Sequence, residues 1–99
     1  MNQQAMLRKM RQLQKEMLET QKQIEETLFT ATCFPVTAKM LGSRKGFKVT
    51  IDKNFAVEDE DDKEALEDAV ASVVNQLLND IDKMTEEKMS KYQALTGLF

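Results

Sequence analysis

Apolar residues in the first quarter of the chain recur at alternating steps of four and three. They form an a/d seam three heptads long, made by Met6, Met10, Leu13, Met17, Thr20, Ile24 and Thr27. Residues 2–28 contain no glycine or proline and consist mostly of good helix formers. The pattern predicts a helix over residues 2–28, a rod of roughly 40 Å. A rod of that length projects in part beyond any core that 99 residues can build.

From Phe29 the period of the apolar positions changes from helical to two. Residues 29–33, 36–40 and 47–51 alternate apolar side chains with Thr, Lys or Asp. Pro35 suits a strand end or a sheet edge, and the segment after Met40 is rich in turn residues. Residues 29–53 are therefore predicted to form a three-stranded antiparallel sheet.

A second helical stripe follows an acidic loop at residues 54–60. Asp61 is predicted to cap this helix, with Glu64 completing a capping box. The apolar stripe has helical period and consists of Leu66, Ala69, Val70, Val73, Val74, Leu77, Leu78 and Ile81. We expect a helix over residues 61–93 and a tail over residues 94–99. The fold class is therefore α+β, with the order helix, three-stranded antiparallel sheet, helix in a single domain of residues 1–99.

The two helices are expected to leave the sheet on the same side and to run antiparallel. This arrangement places residue 26 beside about residue 64, and Arg8 beside about Asp82. The start of the first helix and the end of the last then share a distal tip. The cations expected there are Arg8, Lys9, Arg11, Lys15, Lys83, Lys88 and Lys91.

Charge is distributed unevenly, although the net charge is only −3. Residues 1–53 carry 10 Lys/Arg and 5 Asp/Glu, which gives +5, whereas residues 54–99 carry 4 Lys and 12 Asp/Glu, which gives −8. Residues 8–15 hold four cations and no acid, interspersed with glutamines. Two interpretations stay open for this segment, a solvated helix face or a surface that contacts phosphate.

The composition excludes several classes of chemistry. Histidine is absent and Cys33 is the single cysteine, which excludes Ser-His-Asp catalysis and the usual zinc sites. The three glycines make no phosphate loop, and the acidic run at residues 58–62 lacks the spacing of a calcium loop. We expect no enzymatic activity, no cofactor, no metal and no small-molecule substrate.

Apolar runs are too short to span a membrane, and no secretory signal is visible. With a lone cysteine, these features favour the reducing cytosol. A domain this small buries roughly 60–65% of its unfolded surface, so dimerisation is an expected source of further stability. Residues expected to pack in the core or across the dimer are Phe47, Val49, Ile51, Leu66, Val70, Val73 and Leu77.

Three stretches together resemble the YbaB/EbfC family of bacterial nucleoid-associated proteins. They are LRKMRQLQKEMLETQKQIEE at residues 7–26, FKVTID at residues 47–52, and DDKEALEDAVASVVNQ at residues 61–76. Their order and spacing carry the resemblance, which covers nearly the whole chain. In one departure from the family, the sequence TCFP at residues 32–35 replaces a glycine-rich stretch before the second strand.

The resemblance implies a tweezer-like homodimer in which the sheets join the subunits and projecting helical arms hold duplex DNA. It implies a cytoplasmic role in nucleoid organisation or gene regulation, mainly through phosphate contacts. The expected contact residues are Arg8, Lys9, Arg11 and Lys15, with help from Lys22, Lys83, Lys88 and Lys91.

The alternative is a prefoldin-like chaperone or a coiled-coil scaffold module that grips protein clients with its tips. Such a protein would need exposed apolar residues at the tip. The candidates in this sequence are Met1, Met6, Leu95, Leu98 and Phe99.

Overall fold

The computed structural model describes residues 2–93, and the predicted tail, residues 94–99, lies outside the described residues. The elements in chain order are helix α1 (Gln3–Glu26), strands β1 (Leu28–Cys33), β2 (Val36–Leu41) and β3 (Lys48–Ile51), helix α2 (Glu60–Met89) and a 3₁₀ turn (Ser90–Tyr92). The predicted α+β class, with a three-stranded antiparallel sheet between two helices, is confirmed.

Both ends of α1 are closed by side chains next to the helix. The Asn2 side chain accepts a hydrogen bond of 2.8 Å from the Ala5 backbone N–H at the N-terminus, which satisfies one donor that the first turn leaves free. At the other end Thr27 adopts extended backbone angles. Its hydroxyl donates to the Gln23 carbonyl at 2.6 Å, and its N–H donates to the Ile24 carbonyl at 3.1 Å. The chain therefore passes directly from the helix into β1.

The sheet has the order β1-β2-β3, with both neighbouring pairs antiparallel. Phe29 pairs with Met40 and Ala31 with Ala38, so these side chains share one face of the sheet. Thr32 pairs with Thr37 on the other face, where the two hydroxyls lie 3.4 Å apart. The sheet thus has one apolar face and one face rich in Thr and Lys.

Helix α2 covers the apolar face over β1 and β2. Its buried residues are Ala69, Val73, Leu77 and Ile81, and they form one core cluster with Phe29, Ala31, Val36, Ala38 and Met40. Leu66 and Val70 are partly buried at the margin of this cluster. A helix is about 10 Å wide and strands lie about 4.8 Å apart, so one helix covers two strands and leaves a third open.

Strand β3 is that third strand. Val49 pairs with Ala38 and Ile51 with Val36, so both point to the helix side of the sheet, yet Phe47, Val49 and Ile51 are 44%, 36% and 46% exposed. The expectation that these residues pack against the helices of the same chain is therefore wrong, because α2 does not reach over β3. Their packing across a dimer stays a prediction.

The N-cap of α2 is Asp59 rather than Asp61. The Asp59 carboxylate accepts a hydrogen bond of 2.8 Å from the Asp62 N–H, and the Asp62 carboxylate accepts one of 3.1 Å from the Glu58 N–H. The N-cap hydrogen bond therefore forms two residues earlier than expected. The Asp62 side chain bonds to the N–H of Glu58 rather than to that of the N-cap residue, so the expected capping box does not form.

The two helices run antiparallel, but the expected register is wrong. Met17 of α1 packs with Tyr92 and Met89, and Ile24 lies in a shallow cleft with Thr85. The residues of α2 that lie beside α1 come about 19 positions later in the chain than expected, which is about 28 Å along the helix. The reason is that α2 first covers the sheet with residues 66–81, and only its last turns meet α1. The described chain is consequently elongated, at 72 × 18 × 16 Å.

Candidate nucleic-acid interface

The first half of α1, residues 3–15, projects beyond α2 and is called the arm below. The apolar seam of α1 is buried behind the arm and exposed on it: Met17 and Ile24 are 7% and 4% exposed, whereas Met6 and Met10 are 51% and 37% exposed. Leu13 is the last seam residue that packs against the Met17–Tyr92 cluster. Among the described residues, the part of the arm before Leu13 is therefore a single exposed helix.

One face of the arm is a stripe of cations. With 3.6 residues per turn, Arg8, Arg11 and Lys15 fall within an arc of about 60°, on the side of α1 opposite the apolar seam. All three are exposed. Lys9 lies about 100° away from Arg8 around the helix axis. We call Arg8, Arg11 and Lys15 the cation stripe.

The stripe has little negative charge near it, and the nearest acids along the helix, Glu16 and Glu19, come after Lys15. Residues 2–15 contain no acid, and within residues 2–93 none of these cations forms an ion pair. The arm also ends at the N-terminus of α1, where the helix dipole adds partial positive charge. Exposed Gln4 and Gln12 supply amide donors beside the cations. The arm thus presents a positive surface suited to phosphate.

Negative charge is concentrated at the other end of the molecule. Residues 58–68 hold eight acids and one cation, Lys63, which gives −7. This cluster surrounds the N-terminus of α2, whose dipole favours it. Because the helices are antiparallel and overlap only through the last turns of α2, the arm and this cluster lie at opposite ends of the 72 Å long axis. A polyanion is therefore attracted to one end and repelled by the other.

Comparison with known proteins decides the family. Residues 1–96 match the family model described as the YbaB/EbfC DNA-binding family. The chain belongs to the YbaB/EbfC DNA-binding family. A nucleoid-associated protein of Ligilactobacillus salivarius (strain UCC118) is 38% identical over 94 residues, which cover 93% of this chain and 88% of the relative. A nucleoid-associated protein of Streptococcus sanguinis (strain SK36) is 37% identical, with 93% of each chain covered.

The cations that α2 was expected to bring to the tip lie farther back in this YbaB/EbfC chain. Lys83 directly follows Asp82, which pairs with Arg44 of the β2–β3 turn, so its expected place at the distal tip is wrong. Lys88 precedes Met89, which lies beside Ile24. The Lys91 ammonium lies 5.0 Å from the centre of the Tyr92 ring. All three lie at the level of the part of α1 behind the arm, because α2 is displaced toward the sheet.

Lys22 belongs to the same side of α1 as the cation stripe. It lies about 10 Å beyond Lys15 toward the sheet, at 1.5 Å per residue. It is exposed, but Glu19, Glu25 and Glu26 share this half of the helix. The net positive charge of α1 is therefore confined to the arm.

The segment that departs from the family pattern forms a tight turn. Phe34 and Pro35 connect β1 to β2, and the exposed Phe34 ring meets the Phe55 ring edge to face at 6.2 Å. Cys33 is a free, half-buried strand residue. This turn lies at the end of the sheet away from the arm, so the departure does not alter the arm.

Other kinds of site find little support in the described chain. Residues 2–93 contain no group of three or more Cys, Asp or Glu placed to hold a metal ion. No helix within this range has the length and apolar character that a bilayer span requires. Met1, Leu95, Leu98 and Phe99, candidates for an apolar tip, lie outside the described residues.

Sequence reasoning missed the β2–β3 turn as part of this region. The sequence predicts a turn over residues 41–46, but it does not predict that the end of α1 rests against this turn. Ser43 donates its N–H to the Glu25 carbonyl at 3.2 Å, and Arg44 forms an ion pair with Asp82. These partners are far apart in the chain, so no local pattern reveals them.

Proposed function

We propose that this chain binds duplex DNA through phosphate contacts made by the arm. The observation that carries the proposal is the cation stripe, three exposed cations on one helical face with no ion-pair partner in the described chain. Membership of a DNA-binding family supports duplex DNA as the polyanion. Arg8, Lys9, Arg11 and Lys15 form the primary contact surface. Lys88 and Lys91, with Lys22 and Lys83 farther in, extend it toward the sheet.

Recognition by this surface has little sequence specificity. Phosphate contacts position a protein on DNA but carry no base information. The arm has no aromatic residue on which an unpaired base would stack. Binding of this kind suits a protein that coats or organises DNA. We therefore propose a role at the nucleoid, in the cytoplasm, in nucleoid organisation or gene regulation.

The functional unit is a homodimer with two arms. Strand β3 pairs only with β2 in the described chain and leaves Val49 and Ile51 uncovered on its helix side. An apolar strand with an open edge is unfavourable in water and is a usual site of association. A second copy covers this surface and gives the tweezer shape.

Three half-exposed apolar residues of the arm favour the second candidate, a chaperone that holds protein clients. These are Met6, Leu7 and Met10. The cation stripe lies on the opposite side of the same helix from Met6 and Met10, so one arm has an apolar and a basic side. Family membership favours the basic side as the functional one.

The experiment compares two triple charge reversals in a duplex-DNA titration. Arg8→Glu, Arg11→Glu and Lys15→Glu together are expected to abolish binding to all duplex sequences alike. The matched control reverses the exposed cations Lys39, Lys48 and Lys53, which changes the charge equally but lies on the sheet and the loop after it. Equal loss in both variants would contradict the arm as the binding surface. Suppression of client aggregation by wild type, without DNA binding, would favour the chaperone.

The dimer is tested by light scattering on two single variants of β3. Wild type is expected at twice the chain mass of 11.4 kDa. Val49→Asp is expected to give a folded monomer, because Val49 is already part-exposed within one chain and a dimer would bury the new charge. The control is Thr50→Asp on the opposite face of the same strand. A monomeric wild type, or equal effects of both variants, would contradict this interface.

A further inference from the structure

We infer that the β2–β3 turn is the joint that fixes the direction of the arm, and that Arg44, through its ion pair with Asp82, is a positioning residue for DNA binding. The inference rests on the proposed function. It assigns a role to a turn that contributes no residue to the cation stripe and lies at the sheet end of α1, called the root below, where α1, α2 and the sheet meet.

The backbone of the turn lies directly against the end of α1. A Cβ built on Gly42 would be 1.8 Å from the Ile24 carbonyl oxygen and 2.7 Å from its carbon, so only glycine allows this approach. The Gly42 N–H donates to the Thr27 carbonyl at 2.9 Å, and the Ser43 N–H donates to the Glu25 carbonyl at 3.2 Å. The turn thereby satisfies acceptors that a helix end leaves free.

The same turn is tied to α2 through Arg44. Its backbone lies in the left-handed region, with φ +66, and its N–H donates to the Leu41 carbonyl at 2.8 Å. The guanidinium pairs with the Asp82 carboxylate. Asp82 directly follows Ile81, the last buried residue of α2 over the sheet. The pair therefore holds the turn where α2 leaves the sheet to meet α1.

A small change at this joint becomes a large change at the arm. From Glu25 to Gln3 the helix extends about 33 Å at 1.5 Å per residue. A rotation of roughly 10° at the root moves the far end by about 6 Å, more than the 3.4 Å of helix axis per nucleotide on one strand. Two arms hold one duplex together only if their geometry allows both to engage. The joint, together with the packing of Met17 against Tyr92 and Met89, thus determines whether the cation stripes meet phosphates.

The test is Asp82→Asn, for which simple electrostatics and the joint predict opposite results. Loss of a negative charge by itself strengthens binding to a polyanion. Loss of the joint is expected to weaken binding about two- to fivefold, a range that corresponds to an exposed ion pair. The matched control is Asp80→Asn on the same helix, whose carboxylate accepts a hydrogen bond from Gln76 rather than from Arg44. It is expected to bind DNA as tightly as wild type or slightly more tightly.

Exchange of the two charges tests the pair itself. Arg44→Asp combined with Asp82→Arg leaves the net charge unchanged and is expected to restore binding, since Asp is among the residues that tolerate left-handed backbone. If the double variant binds DNA as weakly as Arg44→Asp alone, the exchange has failed. That result would show that Arg44 is a phosphate ligand and would overturn the joint.

A second comparison uses the two glycines of the turn. Gly42→Ala is expected to weaken DNA binding at least as much as Asp82→Asn, because the methyl group pushes α1 away. Gly46→Ala is the control, because its φ of +66 makes any side chain costly while its Cβ would meet only the Leu41 side chain at 3.5 Å. It is expected to lower stability without changing the affinity of the folded protein.

Arm direction is also measured without DNA. Spin labels are attached to cysteines introduced by Gln4→Cys and Ser72→Cys, in a protein that also carries Cys33→Ser and is diluted with unlabelled chain. They report the distance between the arm and α2. The distribution is expected to shift or broaden in Asp82→Asn and Gly42→Ala, but not in Asp80→Asn. Unchanged distances in both, with unchanged affinity, would overturn the inference. Shifted distances in a protein whose triple arm reversal still binds DNA would overturn the proposed function and leave the joint standing.

Discussion

The number of phosphates that the arms contact is tested by removing the charge of Arg11 and measuring how the affinity for DNA depends on salt. Arg11→Gln removes one charge from the middle of the cation stripe and keeps a side chain that favours helix. The described structure shows no intramolecular partner for this guanidinium, so the change breaks no contact inside the chain. Its effect on DNA binding therefore reports on the interface alone.

The expected magnitude follows from the three cations of the stripe. In the proposed dimer the stripes of the two arms supply six phosphate contacts, and each contributes about −0.9 to the slope of log affinity against log salt, so the stripes account for about −5.4 of the wild-type slope. Through the stripes, affinity then falls about 2,000-fold between roughly 50 and 200 mM salt. Arg11→Gln removes one contact per arm, so the share of the stripes becomes about −3.6 and the fall about 150-fold.

The assay is fluorescence anisotropy of a labelled duplex titrated with protein over that salt range. Lys63→Gln is the control, because it removes one exposed positive charge at the acidic end of the molecule. Its slope is expected to equal that of wild type. The reasoning is refuted if Arg11→Gln keeps the wild-type slope, or if Lys63→Gln flattens it equally. Either result would mean that counterions are released elsewhere on the protein.

Two further predictions concern stability and are measured by urea unfolding. Leu77→Ala is expected to lower the free energy of unfolding by about 2–5 kcal/mol, because Leu77 is fully buried in the core cluster and its truncation leaves a cavity. The prediction is contradicted if Leu77→Ala lowers the free energy of unfolding no more than Ala71→Gly on the exposed side of α2. Asp59→Ala is expected to cost about 1 kcal/mol through loss of the N-cap hydrogen bond, whereas Asp61→Ala, with no capping role in the structure, should cost less.

The element order and the inward face of each element were predictable from the sequence. Periods of 3.6 and 2.0 residues are local properties, and they identified the helices and strands without any knowledge of the fold. The cluster of four cations at residues 8–15 was equally visible in the sequence, and three of them share a helix face because residues three and four apart lie on the same side. The arm could therefore be proposed as a DNA contact before its surroundings were known.

The relation between elements was not predictable in the same way. The apolar stripe of α2 would suit a partner helix as well as a sheet. The expectation that both helices leave the sheet side by side therefore produced the wrong register between α1 and α2. Once α2 covers β1 and β2, its last turns are the only part left for α1. Lys83 then lies near the sheet, and the distal cations of α1 project without the lysines of α2.

The sequence by itself determined what each segment is, which side of it is apolar and where its charge lies, because these depend on residues a few positions apart. Only the tertiary structure decided that α2 covers two strands and leaves β3 open, and that Gly42 and Arg44 bring the turn against α1 and α2. Those outcomes depend on the width of a helix against the spacing of strands and on contacts between residues as distant as Arg44 and Asp82. Such contacts form only when the whole chain has packed, so no pattern along the sequence contains them.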